Sequence, residues 1–172
     1  MTPEISLLSF TPTTLIGLSA PTSLTGAGTP ALWRNFGPRI KEIEDRADDW
    51  RYSLRVYPAD LSLDKLTPDT KYREWAAVAV EEGAPVPEGL ESLQLSGGLY
   101  VRCLHRGLPG EIGNTVNFLF GQWLPTSGYD VDNSRPHFER MAPDYRPDDP
   151  EAQEEMYVPL RVLPLTESYV QN

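Results

Sequence analysis

The 172-residue chain has one cysteine, two histidines, few basic side chains and no long apolar run. The lone thiol, Cys103, excludes an internal disulfide framework and any zinc site built from several cysteines. It lies in the alternating run LYVRCLH, where a small buried residue is expected rather than a nucleophile. No apolar stretch approaches the ~18 residues that a membrane-spanning helix needs. The opening MTPEISLLSF carries an acid and no basic segment before its short apolar run, so no secretory leader is expected, and a cytoplasmic setting follows by default. Basic residues number 15 against 25 acidic, a formal charge of −10. Proteins that grip phosphate backbones carry a basic stripe, so direct nucleic-acid binding is not expected. No His/Cys/Asp set has metal-ligand spacing, no glycine-rich loop opens a helix in phosphate-binding form, and no G-x-S-x-G elbow occurs. Neither a metal nor a cofactor is expected.

What is present suits a globular core: 40% hydrophobic and 10% aromatic residues. The length suits one domain, here read as two halves of about 5–82 and 90–165. Residues 5–20 read as an opening strand that Pro12 bends or places at an edge. Thr29-Pro30 has the form of an N-cap and first-turn proline, and Leu32, Phe36, Ile40 and Ile43 recur at helical spacing. Gly37-Pro38 falls inside that run and predicts a kink or two short pieces. Residues 51–59 and 72–80 read as strands. Ser96-Gly97-Gly98 reads as a turn or bulge between two extended pieces. Ile112, Val116, Leu119, Phe120 and Trp123 form one apolar helical face, which Leu124-Pro125 is expected to end. A loop over 129–136, a short strand HFERMA, an exposed acidic excursion over 143–155, a last strand EMYVPLRVL and a loose end at 166–172 complete the chain.

Each half thus gives strand, tryptophan-bearing helix, strand, strand, with WAAVAV (75–80) aligned on EMYVPL (155–160). Side chains alternate faces along a strand. Ala76, Val78 and Val80, with Met156, Val158 and Leu160, make the more uniformly apolar faces and are expected beneath the two helices. The mixed faces, Trp75/Ala77/Ala79 and Glu155/Tyr157/Pro159, are then expected to point into a concavity. A slip of one residue would reverse that assignment.

HRG at 105–107, WLPTSGY at 123–129, HFE at 137–139 and EMYVPL at 155–160, in this order, resemble the gyrase-inhibitor-like small-molecule-binding domain, which also forms the effector-binding half of AraC-type and MerR-type regulators. The resemblance covers nearly the whole chain, most clearly 95–162, and implies a single domain over 1–172. It implies an α+β fold: duplicated strand–helix–strand–strand units forming a curved, mainly antiparallel sheet backed by two helices, with a central ligand cleft. It also implies a glutamate on the last core strand, here Glu155, that meets lipophilic cations, with Trp75, Tyr157 and Trp33 as aromatic walls. The regulators join this domain to a DNA-binding module; the chain as read has no stretch that fits one, so a stand-alone binding protein is expected.

A carboxylate in an aromatic cleft attracts lipophilic cations by ion pairing and by cation–π contact, at ~0.5–2 kcal/mol per ring. If the domain is instead an enzyme, Glu155 and Tyr157 are the expected catalytic pair of a cofactor-independent hydrolase acting on strained electrophiles. A third reading has the acidic surface around Asp144–Glu154 meeting a protein partner such as gyrase. The competing assignment for Glu155 is an exposed sheet-face acid, and for Trp75 and Trp123 core packing. His105 and His137 are expected as structural hydrogen-bonding residues. Glu139 is expected to pair with Arg140 or Arg135.

Overall fold

A computed structural model describes residues 2–25, 28–62 and 65–164; the loose end expected at 166–172 lies outside them. The strands are β1 (Glu4–Phe10), β2 (Thr13–Ser23), β3 (Arg51–Val56), β4 (Lys71–Val80), β5 (Glu91–Leu95), β6 (Gly98–Arg106), β7 (Tyr129–Val131), β8 (His137–Met141) and β9 (Gln153–Val162). They hydrogen-bond in the order β1-β6-β9-β8-β3-β4-β2-β5, with β7 added to β9, and every pairing among the described residues is antiparallel. With two helical segments on the sheet, the architecture is the expected α+β one.

Residues 5–20 form two strands rather than one bent strand. Pro12 has no N–H to give a ladder, and at Thr11-Pro12 the chain leaves the edge of β6 and enters the sheet beside β4 and β5. The β5–β6 switch occurs against the same point. Gly97 there has φ +77°, and a Cβ on it would stand 2.4 Å from the Phe10 carbonyl oxygen. The result is an exchange of arms: β1 pairs with β6 of the second half, and β5 pairs with β2 of the first.

Helix α1 (Gly28–Phe36) passes at Gly37-Pro38 into a 3₁₀ segment, Gly37–Glu42, as the proline led one to expect. Thr29 lies within the first turn of α1 instead of capping it, and its hydroxyl is used elsewhere, as described below. The second helix opens as α2 (Ile112–Phe118), widens into a π turn over Leu119–Trp123 and runs on through Leu124–Ser127. Pro125 does not end it; Gly128, at φ +80°, does. Part of the segment expected as loop, Tyr129–Val131, pairs with β9.

The two helices pack on the apolar stripes expected of them. Leu32 and Phe36 of α1 meet Ile16, Ala76, Val78 and Val80. Leu119, with Val116, Phe120 and Trp123 around it, meets Val101, buried Cys103, Met156, Val158 and Leu160. Trp123 also stacks on Tyr129. The opposite face of the sheet is not an open concavity. It carries a third core of Leu15, Tyr52, Leu54, Trp75, Tyr100, Phe138 and Tyr157, into which Phe10 packs edge-on against Tyr100, Phe138 and Tyr157.

Candidate functional site

Two helices cannot cover this sheet. Eight strands at ~4.8 Å span roughly 34 Å, whereas two helices of ~10–12 Å diameter cover about two thirds of that. The uncovered part is the centre, where β3 and β8 join the halves, and it lies on the same face as the helices. A cleft of about 730 Å³ opens there. Its walls are Thr29, Pro30, Trp33 and Ile40 from the α1 side, and Pro109 and Ile112 from the start of α2. Tyr145 and Pro147 close one end from the loop between β8 and β9. The floor comes from Ser53 and Arg55 of β3, Glu74 of β4, Glu139 and Met141 of β8 and Glu154 of β9, with exposed Arg51 at the rim.

Three floor carboxylates are nearly sealed by protein: Glu74, Glu139 and Glu154 are 4%, 5% and 6% exposed. Each has one oxygen satisfied. The Thr29 hydroxyl donates to Glu74 Oε1 at 2.6 Å, Arg55 donates to Glu139 Oε1, and the Tyr145 hydroxyl donates to Glu154 Oε1. Among the described residues the other oxygen of each accepts no hydrogen bond, and none is among the fully enclosed orphaned atoms. Those oxygens therefore face the cleft.

Burial pushes the Glu154 carboxyl above the ordinary carboxylate range; Glu139 adds to the rise, and the Tyr145 hydroxyl opposes it. The Tyr145 phenol is itself raised, by burial and by its bond to Glu154. Burial works against the Arg55 guanidinium, but Glu139 more than offsets it and holds the guanidinium above its usual range. Next along this face, His137 stands edge-on to Tyr57 and bonds through Nε2 to Asn133 Oδ1 at 2.8 Å. Burial, aided by Arg55, pushes its imidazole down to about 3.

Of the residues read from the sequence, Trp33 lines this cleft and Glu155, Trp75 and Tyr157 do not. Trp75 and Tyr157 are 7% and 2% exposed in the core of the other face. Glu155 is engaged on that face too. Its Oε2 accepts from Arg140 at 2.8 and 3.0 Å and from the Tyr157 hydroxyl at 2.7 Å, and Arg102 lies 3.8 Å from Oε1. Arg140 in turn lies 4.3 Å over the Trp50 ring. The physical reason is the period of two: Glu154, one residue earlier, shares its face with Met156, Val158 and Leu160, and the cleft continues that face.

Glu139 pairs with Arg55 across the β3–β8 ladder, not with Arg140 or Arg135; Arg140 belongs to the far face, and Arg135 binds Asp132 and three carbonyls. His105 is held between the Thr115 hydroxyl (2.8 Å) and the Leu108 carbonyl (3.1 Å). The acidic excursion is mostly exposed but turns Tyr145 inward. A signal for the floor existed in the sequence: both helix-facing stripes, 74/76/78/80 and 154/156/158/160, begin with a glutamate.

A cleft of this size between two helices on an antiparallel sheet, apolar in its walls and carboxylate-bearing in its floor, defines a domain for organic small molecules. Residues 3–161 match the family of the GyrI-like small molecule binding domain, and the chain belongs to that family. It is 25% identical over 147 residues to the transcriptional regulator BrlR of Pseudomonas aeruginosa, covering 85% of this chain and 51% of BrlR. The chain thus spans about half the length of that relative. Among solved structures it resembles the EcmrR C-terminal domain (TM-score 0.72, 12% identity, 95% of this chain and 100% of that one). It also resembles SAV2435 bound to tetraphenylphosphonium (TM-score 0.70, 16% identity, 92% and 94%). Among the described residues no helix is long and apolar enough to cross a membrane.

Proposed function

We propose that this domain binds lipophilic organic cations in the interhelical cleft, with Glu154 as the charged anchor and Trp33 and Tyr145 as aromatic walls. The observation that carries the reading is the state of Glu154: a nearly buried carboxylate with one oxygen turned to an apolar cleft and its pKa raised by lost solvation. A hydrated cation such as Lys or Na⁺ would have to give up its water there. A cation wrapped in hydrocarbon has little to lose, and gains the ion pair and ring contacts of ~0.5–2 kcal/mol each. The likeness to a structure holding tetraphenylphosphonium supports the same ligand class.

The test is a calorimetric titration of tetraphenylphosphonium into wild type, Glu154→Gln and Glu155→Gln. Removing the anchor is expected to weaken binding by about tenfold or more, a little over 1.4 kcal/mol. Glu155→Gln is expected to bind as wild type does, because Glu155 lies on the other face of the sheet. Equal affinity in Glu154→Gln and wild type would remove Glu154 from the site.

The raised pKa of Glu154 beside the Tyr145 hydroxyl also favours a second reading, in which the same pair activates water against an electrophilic ligand. Mass spectrometry of cyclopropane-bearing electrophiles after incubation distinguishes the two. Product formed by wild type and lost in Glu154→Gln makes the domain a hydrolase, and intact ligand leaves it a binding protein.

A further inference from the structure

The cleft floor has an internal symmetry. Ser53 stands opposite Glu139 where the halves meet, Ser53 is paired with Ala76 on its other side, and Glu139 with Met156. A two-fold axis through the Ser53–Glu139 pair therefore carries Ala76 onto Met156 and Glu74 onto Glu154. Both of these acids begin a helix-facing stripe, both are nearly buried, and both hold one oxygen on a hydroxyl with the other toward the cleft. The third acid, Glu139, is neutralised by Arg55 at the centre, and Arg51 stands exposed at the rim. The floor thus presents two carboxylates that make no close ion pair among the described residues, one in each half, on either side of a neutral middle with apolar walls above.

We propose that the cleft takes elongated organic dications, with one cationic end at Glu154 and the other at Glu74. This inference rests on the cation-binding reading above and narrows its ligand class. The two anchors are three strands apart, and four residues apart along the strands, since Glu74 lies level with Arg55, and Glu154 with Met141 and Arg51. Strand spacings of ~4.8 Å and ~3.4 Å per residue then separate their Cα atoms by roughly 20 Å. A glutamate carboxylate reaches about 4 Å from its Cα, so cationic ends that meet the two acids from the middle of the floor stand roughly 12–18 Å apart. A chain of about ten to twelve methylenes between two quaternary ammonium groups spans that, and the cleft, at about 730 Å³, has room for it.

The experiment titrates the full chain with bis(trimethylammonium)alkanes of six, eight, ten and twelve methylenes. Decyltrimethylammonium serves as the single-headed control and tetraphenylphosphonium as the compact one, with wild type and Glu74→Gln compared. Joining two charges that reach two anchors is expected to tighten binding about tenfold or more over decyltrimethylammonium. The gain should peak at ten to twelve methylenes, fall away at six, and vanish in Glu74→Gln, which keeps an acceptor for the Thr29 hydroxyl. Tetraphenylphosphonium should bind wild type, as the cation-binding reading requires. Equal affinity of the ten-methylene dication and its single-headed control in wild type, or no dependence on spacer length, overturns the proposal while leaving the monocation site standing. Failure of tetraphenylphosphonium to bind wild type overturns both.

Discussion

Glu154 and Glu155 are adjacent and chemically identical, yet β9 sends them to different environments. Glu155 meets two guanidiniums and a phenol, which occupy its carboxylate oxygens. Glu154 meets little water and another carboxylate nearby, which disfavour its charged form against the pull of the Tyr145 hydroxyl. Only the second arrangement leaves charge unsatisfied and available to a ligand. His137 illustrates the same accounting for a base. Its imidazole, pushed to about 3 by burial, remains neutral in the folded protein over a range where the unfolded chain, near 6.5, takes up a proton. The stability it contributes is present above about pH 6.5 and lost as pH falls toward 3. Glu154, an acid with a raised pKa, changes stability in the opposite sense: its protonation relieves the folded state as pH falls. Denaturant midpoints are expected to decrease between pH 7 and pH 4, and His137→Gln is expected to flatten part of that decrease. An identical slope in the variant would show that His137 does not carry it.

At the scale of elements, alternation along β4 and β9 shows in the sequence which stripes lie under the helices, because a run such as Ala76, Val78 and Val80 buries nothing if turned outward. The helix break at Gly37-Pro38 and the turn at Ser96-Gly97-Gly98 were legible for equally local reasons. Which face holds the cleft was not, because that depends on how much of the sheet two helices cover. A carboxylate among aromatics reads as a ligand site in sequence, and Glu155 beside Tyr157 fits the pattern. Only the three-dimensional placement of Arg140 and Arg102 shows that its charge is already met. The exchange of arms at Thr11-Pro12 was likewise hidden, since a proline announces a break but not the partner the chain takes next. Gly17, in the middle of β2, carries a constraint of this scale: a Cβ there would stand 2.0 Å from the Ala76 carbonyl oxygen of β4. Backbone cannot yield as a flexible side chain does, so Gly17→Ala is expected to cost about 2 kcal/mol or more. Urea unfolding checks this, and an unchanged midpoint would show that the β2–β4 backbone yields to the added methyl group.

For the whole molecule, the crossed arms and the core shared by Phe10, Tyr100, Phe138 and Tyr157 tie the two halves behind the cleft. The cleft in front is formed where the halves meet, with one helix and at least one floor carboxylate from each. A rigid back and a divided front suit a pocket that must accept bulky, poorly hydrated ligands without being rebuilt for each. The most direct test of this account is the crystal structure of the domain with tetraphenylphosphonium. The account predicts the phosphonium between the two helices, over β8 and β9, with a phenyl ring against Trp33 and the charged centre nearer the Glu154 carboxylate than any other. A phosphonium bound on the opposite face beside Glu155, or outside the cleft altogether, would contradict it.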